Sequence, residues 1–262
     1  MKKAKPPSRP TWSGRISIGL VNVPVKLYTM IRDESFSFRY VRKDDACPLQ
    51  YQRVCTLDKE VVDWADVTRG YEVRKGEFVV FSKEELDALR PESYGRINVD
   101  KFVPLASIDT IYLDKSYIVT PDKSEDAYGL LLAVLKEMGM AGVGKFTMRT
   151  KEYPVMIHEY KNSLLLTTLR YSYEVVDPDD LEALKAVEEP SEEELELATK
   201  IIENLSGEFD ITEYRDDFRE RVEDLVNKKM KGETIFVEEP KKEEVKELMT
   251  ALRETLQQLQ GK

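Results

Sequence analysis

The residue types that most often carry out covalent or metal chemistry are scarce in this 262-residue chain. It contains two cysteines, Cys47 and Cys55, and a single histidine, His158. A structural zinc site normally needs four Cys or His ligands, which this set does not supply. His158 falls in an alternating pattern over residues 155–160, which is typical of a strand. No pair of carboxylates stands out from the charged background, so we expect no enzyme activity, no metal and no cofactor.

The state of the two cysteines stays open among free thiols, a disulfide and a metal-linked pair. An intracellular protein favours free thiols. The chain has no run of about 20 apolar residues, so no membrane span is predicted. Its N-terminus is basic and proline-rich and lacks the apolar core of a signal peptide, so we expect the protein to stay inside the cell.

Charge is unevenly distributed along the chain, whose net charge is -10. Residues 1–75 hold 15 Lys/Arg and 9 Asp/Glu, residues 76–173 hold 12 and 14, and residues 174–248 hold 11 and 26. A basic end joined to an acidic end favours an anion-binding part attached to a part with another role. The alternative is two solvated surfaces that happen to differ.

The first cationic feature is an irregular, polar stretch that we interpret as an extended arm over residues 36–75. Its candidate phosphate-binding residues are Arg42, Lys43, Arg53, Arg69, Arg74 and Lys75, interleaved with Tyr51, Trp64 and Tyr71. Two antiparallel passes of such an arm would reach roughly 60 Å at about 3.3 Å per residue. Cations on an arch of this size would meet phosphates and not base edges, so binding would be independent of sequence and sensitive to salt.

The second cationic feature is a strand predicted over residues 145–151. Side chains alternate along a strand, so its odd positions should share one face. These positions hold Lys145, Thr147, Arg149 and Lys151, whereas Phe146 and Met148 should point to the core. Such a stripe could neutralise successive phosphates. The alternative is a strand with an ordinary charged solvent face.

The elements that must position these residues are mostly short strands, which favours a β-barrel with attached helices. In the segment 12–28, the alternation of apolar residues slips at Leu20–Val21, which predicts a bulged or bent strand at a barrel corner. Further strands are predicted at 36–40, 97–103, 111–113, 117–119, 143–151, 154–160 and 163–171. A helix is predicted over 125–138, ended by Gly139.

The remainder of the chain is predicted to be helical. Capping boxes at Ser82 and Ser191 each predict a helix start. Two more helices are predicted, over about 212–231 and after Pro240. The fold class is therefore α+β. We divide the chain into a basic flexible N-terminus (1–10), a barrel core with its arm (11–175) and an acidic helical region (176–262).

The segment Trp12-Ser13-Gly14-Arg15-Ile16-Ser17-Ile18-Gly19-Leu20-Val21-Asn22-Val23-Pro24-Val25-Lys26-Leu27-Tyr28 closely resembles the start of the core domain of prokaryotic Ku proteins. Further segments agree in the expected order, at 51–55, 70–72, 102–104, 168–171, 214–218 and 248–252. The resemblance covers about residues 8–258. One departure concerns the close cysteine pair that many members carry in the arm, because Asp58 stands where the second cysteine would follow Cys55. Zinc in the arm is therefore not expected.

The resemblance implies a SPOC-like barrel, an inserted bridge arm and a helical C-terminal region. It implies that two copies of the chain form a homodimeric ring that threads onto double-stranded DNA ends. It further implies recruitment of a DNA ligase or polymerase for non-homologous end joining, in the cytoplasm at the nucleoid. The nine cations named above would then line the ring. The alternative is a β-barrel adaptor that binds proteins and not DNA. A hydrolase or nuclease is disfavoured for want of a catalytic constellation.

Overall fold

The computed structural model describes residues 7–32, 34, 36–89, 95–148, 151–233 and 248–260. The chain forms two compact units, Met1–Val176 and Asp177–Lys262. The first unit holds all of the strands that the structure describes, and the second is helical.

The first unit is built around a closed barrel of seven strands. Its strands are β1 (Trp12–Ile18), β2 (Val21–Thr29), β5 (Arg96–Pro104), β6 (Leu113–Pro121), β7 (Met140–Met148), β8 (Lys151–Tyr160) and β9 (Ser163–Leu169). Their order around the barrel is β1-β2-β6-β9-β8-β7-β5. All neighbours are antiparallel except β1 and β5, whose short parallel pairing closes the barrel. The predicted α+β barrel fold is confirmed.

The barrel interior is apolar and tightly filled. Its buried side chains are Ile16, Val23, Val25, Leu27, Ile97, Tyr117, Val119, Leu135, Phe146, Val155, Ile157, Leu164 and Leu166. Trp12 packs edge-on against Phe146, with ring centroids 5.1 Å apart and planes at 88°. Each fully buried aliphatic or aromatic side chain contributes about 1.5–3 kcal/mol, so this interior is the main source of the unit's stability.

Helix α2 (Glu125–Met138) adds Leu135 to that core. The hydroxyl of Tyr128 donates to the carbonyl of Val119 on β6 and accepts from the amide of Leu164 on β9, both at 2.9 Å. It therefore links β6 and β9 at their last residue pair, Val119 and Leu164. The helix ends at Gly139, whose φ of 62° is left-handed, as the sequence predicts.

The predicted bent strand over residues 12–28 is wrong. The chain reverses at Gly19 and Leu20, and β1 and β2 pair in register with Ile18 opposite Val21. Gly19 has φ +57°, the positive value that a two-residue hairpin requires at its first central position. A two-residue turn shifts the alternation just as a bulge does, so the slip in phase marked a hairpin.

Two other strand predictions are also wrong. Residues 36–40 alternate in polarity but form no strand, and the neighbouring Val41 makes only an isolated bridge to Pro48. Residues Thr110–Tyr112 form a 3-10 turn, and β6 begins only at Leu113. At 36–40 the alternation has no neighbouring strand to complete a ladder, and at 110–112 the Asp109 side chain accepts from the amide of Ile111 and starts the turn.

Between β2 and β5 the chain forms an insertion with little regular structure. It contains β3 (Arg69–Arg74) and β4 (Glu77–Phe81), which pair as a separate two-stranded sheet. Residue 75 therefore lies in a hairpin turn, and the insertion continues to Phe81. Below, "the arm" means residues 36–81. Helix α1 (Lys83–Ala88) follows, started by the predicted capping box of Ser82 and Glu85.

The second unit contains α3 (Glu182–Lys185), α4 (Glu192–Leu205), α5 (Asp217–Met230) and α6 (Leu248–Gln260). The capping box at Ser191 is confirmed. Helix α5 starts later than predicted, because Ile211–Glu213 form a 3-10 turn and Asp216 caps the helix. Residues 241–247 of the helix predicted after Pro240 lie outside the described residues. None of the described helices is long and apolar enough to cross a bilayer.

Candidate nucleic-acid interface

The arm is a surface without an interior. The structure describes every residue from Ser37 to Val80, and none of them is buried; only Cys55 and Val62 are half-buried. The six cations that the sequence predicts for DNA contact here are therefore all exposed: Arg42, Lys43, Arg53, Arg69, Arg74 and Lys75. The backbone is held by two isolated bridges and by the β3–β4 hairpin.

The first bridged segment is a tight turn that starts at Arg42. The amide of Arg42 donates to the carbonyl of Cys47 and the amide of Ala46 donates to the carbonyl of Arg42, both at 2.9 Å. The Asp45 carboxylate accepts the amide of Cys47 at 3.1 Å. Ala46 has φ +56°, a conformation that costs roughly 1–2 kcal/mol in a residue with a Cβ. The turn therefore depends on its hydrogen bonds.

The same turn recurs thirteen residues later, starting at Cys55. The amide of Cys55 donates to the carbonyl of Glu60 at 2.9 Å, and that of Lys59 to the carbonyl of Cys55 at 3.1 Å. The Asp58 carboxylate accepts the amide of Glu60 at 3.0 Å, and Lys59 has φ +65°. The arm thus contains a structural repeat. Sequence reasoning missed it, because within these turns the two copies share only the aspartate.

Arg42 is held in place by the first turn. Its Nε lies 2.9 Å and its Nη2 2.5 Å from the two carboxylate oxygens of Asp45. The Arg42 guanidinium and the amide of Cys47 hold the pKa of Asp45 below its ordinary value. A guanidinium carries five N–H donors, so this pair fixes its plane and still leaves donor capacity for a phosphate.

Arg53 is oriented by an aromatic ring. Its Cζ lies 4.1 Å from the centroid of the Trp64 ring, a cation–π contact. Trp64 is 70% exposed, so the pair stands at the surface. Stacking of this kind restricts the guanidinium before any ligand arrives.

The β3–β4 hairpin gathers two arginines on one face. Its register pairs Arg69, Tyr71 and Arg74 with residues 81, 79 and 77 of β4. Directly paired residues share a face, and alternate residues of β4 share a face, so these three side chains lie together. An irregularity between Glu72 and Arg74 leaves Val73 unpaired and makes this possible. Lys75 and Lys43 lie in exposed turns.

The arm as a whole is not a positively charged body. Residues 36–81 hold eight Lys/Arg and eight Asp/Glu. The basic excess of residues 1–75 therefore comes mostly from the chain before the arm. Any affinity of the arm for phosphate must come from where its cations are placed and not from its net charge.

The predicted basic stripe over residues 145–151 is wrong in its geometry. Strand β7 ends at Met148 and β8 begins at Lys151, so the chain reverses between them. Met148 pairs with Lys151, and Lys145 pairs with Pro154. Lys145 and Lys151 therefore lie on opposite faces of the hairpin, and Thr147 is only 2% exposed. Arg149, the fourth member of the stripe, lies outside the described residues.

Each of these two lysines is paired with a carboxylate of the same unit. The Nζ of Lys145 lies 3.6 Å from Glu152 Oε2, and the Nζ of Lys151 lies 3.1 Å from Glu174 Oε1. The Tyr171 amide and the Lys151 ammonium hold the pKa of Glu174 below its ordinary value, and Glu174 raises the pKa of Lys151. Both lysines remain about half exposed, so these pairs are weak.

Three observations concern the residues that could carry out covalent or metal chemistry. Among the described residues, no group of three or more His, Cys, Asp or Glu side chains is arranged to hold a metal ion. Cys47 and Cys55 are both free thiols. His158 lies in β8, as predicted, and its Nδ1 is 2.9 Å from the carbonyl of Glu159.

The fold and the arm together define a barrel-and-arm protein, in which a closed seven-stranded barrel is interrupted by an exposed insertion that carries oriented arginines. Residues 17–197 match the family model of the Ku70/Ku80 beta-barrel domain. The match spans more than half of the chain and includes the whole arm and the barrel, except for the first five residues of β1.

Curated relatives match over nearly the full chain. The non-homologous end joining protein Ku of Archaeoglobus fulgidus is 37% identical over 251 residues, which cover 95% of this chain and 98% of that protein. Proteins of the same name from Heliobacterium modesticaldum and Bacillus subtilis are 33% and 31% identical, and the matches cover 92% and 80% of their lengths. The chain belongs to the Ku family.

Proposed function

We propose that this protein binds double-stranded DNA ends as a homodimer and serves non-homologous end joining at the nucleoid. The observation that carries the proposal is family membership over almost the full chain, with relatives that bear that function in their names. The exposed, oriented arginines of the arm support it, because they suit phosphate oxygens and make no pocket for a small substrate.

The proposed mode of binding is contact with the sugar–phosphate backbone. The guanidinium groups of Arg42 and Arg53 are oriented by Asp45 and Trp64. The two arginines of β3 are exposed on one face of the β3–β4 hairpin. Phosphate contacts position a protein on a duplex without reading its sequence. Because each neutralised phosphate releases counterions, the affinity should fall steeply with salt.

The exposed apolar side chains of the arm support self-association. Phe38, Tyr51, Trp64 and Phe78 are each more than half exposed. Large aromatic side chains left this exposed along one segment favour a protein interface. We therefore propose that the arm contributes to the homodimer, which a solution mass of twice that of one chain would support.

The second unit is proposed to stay off the DNA and to offer a surface for a ligase or polymerase. Residues 174–248 hold 11 Lys/Arg against 26 Asp/Glu, a charge that repels phosphate. Phe209, Tyr214 and Phe218 are each more than two-thirds exposed, so the unit also presents aromatic side chains to a partner.

The test removes two cations from the shared face of β3. In the double variant R69A/R74A, the slope of log affinity against log salt should fall by up to about 1.8, since each phosphate contact contributes about 0.9. The control R215A/R221A removes two exposed arginines from the acidic unit and should leave both affinity and slope unchanged. Equal behaviour of the two variants would contradict phosphate contact by this face. Absence of any salt-dependent DNA binding in the unaltered protein would favour a protein-binding adaptor.

A further inference from the structure

Two tyrosines that follow the last barrel strand form an open aromatic stack. The rings of Tyr171 and Tyr173 lie nearly parallel, with centroids 5.1 Å apart and planes at 11°. Tyr173 is 78% exposed. Tyr171 therefore covers only part of one face of the Tyr173 ring, and most of that ring is open to solvent.

The stack is fixed to the barrel by several contacts. The amide of Tyr171 donates to Glu174 Oε2 at 2.8 Å, and its hydroxyl donates to the carbonyl of Glu152 at 3.3 Å. Glu174 in turn accepts from the Nζ of Lys151 at 3.1 Å. The platform therefore exists before any ligand binds, which lowers the entropic cost of binding.

Two lysines of the adjoining β7–β8 hairpin carry ammonium groups, and one of them, Lys151, is linked to the stack through Glu174. The Nζ of Lys151 donates a hydrogen bond to Glu174 and lies 5.0 Å from the centroid of the Tyr153 ring. Lys145 lies on the other face of the β7–β8 hairpin and is 59% exposed. Each ammonium has three N–H donors, so a carboxylate partner uses only part of its capacity. Aromatic faces next to cations are the combination that recognises a nucleotide, whose base stacks and whose phosphate is anionic.

We propose that Tyr171 and Tyr173 form a stacking platform for an unpaired nucleotide at a DNA end, with Lys151 contacting its phosphate. This inference rests on the proposed function, because the duplex brings the single-stranded overhang to the platform. Glu152 and Glu174 nearly balance the two lysines, so stacking and not charge must supply most of the affinity. A tethered overhang gains from high effective concentration, and a free oligonucleotide does not.

The experiment compares a blunt duplex with the same duplex extended by four unpaired thymidines, using fluorescence anisotropy. The unaltered protein should bind the extended duplex about 5- to 150-fold more tightly, the range that stacking of one base on an aromatic ring provides. Tyr173→Ala should abolish this difference and leave blunt-duplex affinity unchanged, while Tyr173→Phe should keep it. Lys151→Gln should reduce it in part.

The matched control is Tyr160→Ala. Tyr160 is also partly exposed and has the ammonium of Lys161 at 5.2 Å from its ring centroid. It has no stacked ring among the described contacts, so its loss should not change the preference for an overhang. Equal loss in the Tyr160→Ala and Tyr173→Ala variants would overturn the proposal.

Other outcomes separate this proposal from the function on which it rests. Equal affinity of the unaltered protein for blunt and extended duplex refutes the platform, as does loss of both affinities in Tyr173→Ala. A Tyr173→Ala variant that keeps the overhang preference but no longer binds a partner protein assigns the stack to protein recognition and also refutes it. If no duplex is bound at all, end binding fails. The platform is then tested by the fluorescence of a single strand that contains 2-aminopurine. The unaltered protein should quench this fluorescence and Tyr173→Ala should not, and equal quenching by both refutes the platform.

Discussion

At the scale of single residues, the arm orients its arginines with different partners. A carboxylate fixes Arg42 at two points, and an indole ring stacks on Arg53. The sequence predicts which residues are cationic and that they are exposed. It does not predict these partners, because Asp45 and Trp64 acquire their roles only when the turns form.

Acid should release both repeated turns. The folded pKa of Asp45 is lowered by Arg42 and by the amide of Cys47, and that of Asp58 by the amide of Glu60. A lowered folded pKa means that each carboxylate stabilises its turn above the ordinary value of about 3.9 and loses this effect as the pH falls through the lower folded value. The amide proton shifts of Cys47 and Glu60 should therefore titrate with midpoints below about 3.9.

The two turns serve as controls for each other in that titration. Asp45→Asn should remove the transition seen at Cys47 and leave the one at Glu60, because Asp58 is the acceptor there. Midpoints at or above the ordinary carboxyl value in the unaltered protein would contradict the hydrogen-bonding account of both turns.

The ring of Trp64 should matter for DNA affinity although it carries no charge. Trp64→Leu frees the Arg53 guanidinium, and a cation–π contact at an exposed site contributes about 0.5–1 kcal/mol, so the affinity should fall by about 2- to 5-fold. Trp64→Phe keeps an aromatic face and should retain most of the affinity. Equal affinities for the Leu and Phe variants would show that the ring does not position Arg53.

At the scale of elements, the sequence predicts the helices and strands that are specified by neighbouring residues, such as a capping residue, a terminal glycine or an alternating apolar pattern. The two capping boxes, helix α2 with its terminal Gly139 and most barrel strands are of this kind. The hairpin at Gly19–Leu20 was missed because a two-residue turn and a bulge shift the alternation in the same way. The reversal between β7 and β8 was missed because residues 149–151 are all polar, so no slip in an apolar alternation marks the turn. The stripe of cations failed for the same reason.

One glycine of the barrel should be essential for packing. A Cβ at Gly144 would lie 1.7 Å from the carbonyl oxygen of Asn98, at the irregular stretch of β5. Because that atom belongs to the backbone, Gly144→Ala should lower the free energy of unfolding by at least about 1–3 kcal/mol. Thermal unfolding measured by circular dichroism would detect it as a fall of several degrees.

A second glycine offers the matched control. Gly129 lies in α2 with no atom within 4 Å of the position where a Cβ would stand. Gly129→Ala should therefore raise stability by about 0.5–1 kcal/mol, as expected inside a helix. Equal destabilisation by both substitutions would contradict the close approach of β5 and β7.

At the scale of the whole molecule, the distribution of charge differs between the two compact units. The barrel and arm make up one unit, and the acidic helices make up another. Sequence reasoning predicted this contrast and the family. It also treated the arm as a cationic feature, although residues 36–81 hold as many Asp/Glu as Lys/Arg. The proposed affinity for DNA therefore depends on the arrangement of cations in a dimer, which no single chain determines.

The central claim is that the protein holds DNA by its ends, and end-dependence of binding tests it most directly. Gel-shift titrations would compare a linear duplex, the same duplex blocked at both ends by bulky caps, and a covalently closed circle of equal length. We predict tight binding to the open linear duplex, and much weaker binding to the capped duplex and to the circle. Binding to the closed circle as tight as to the open linear duplex would contradict the claim.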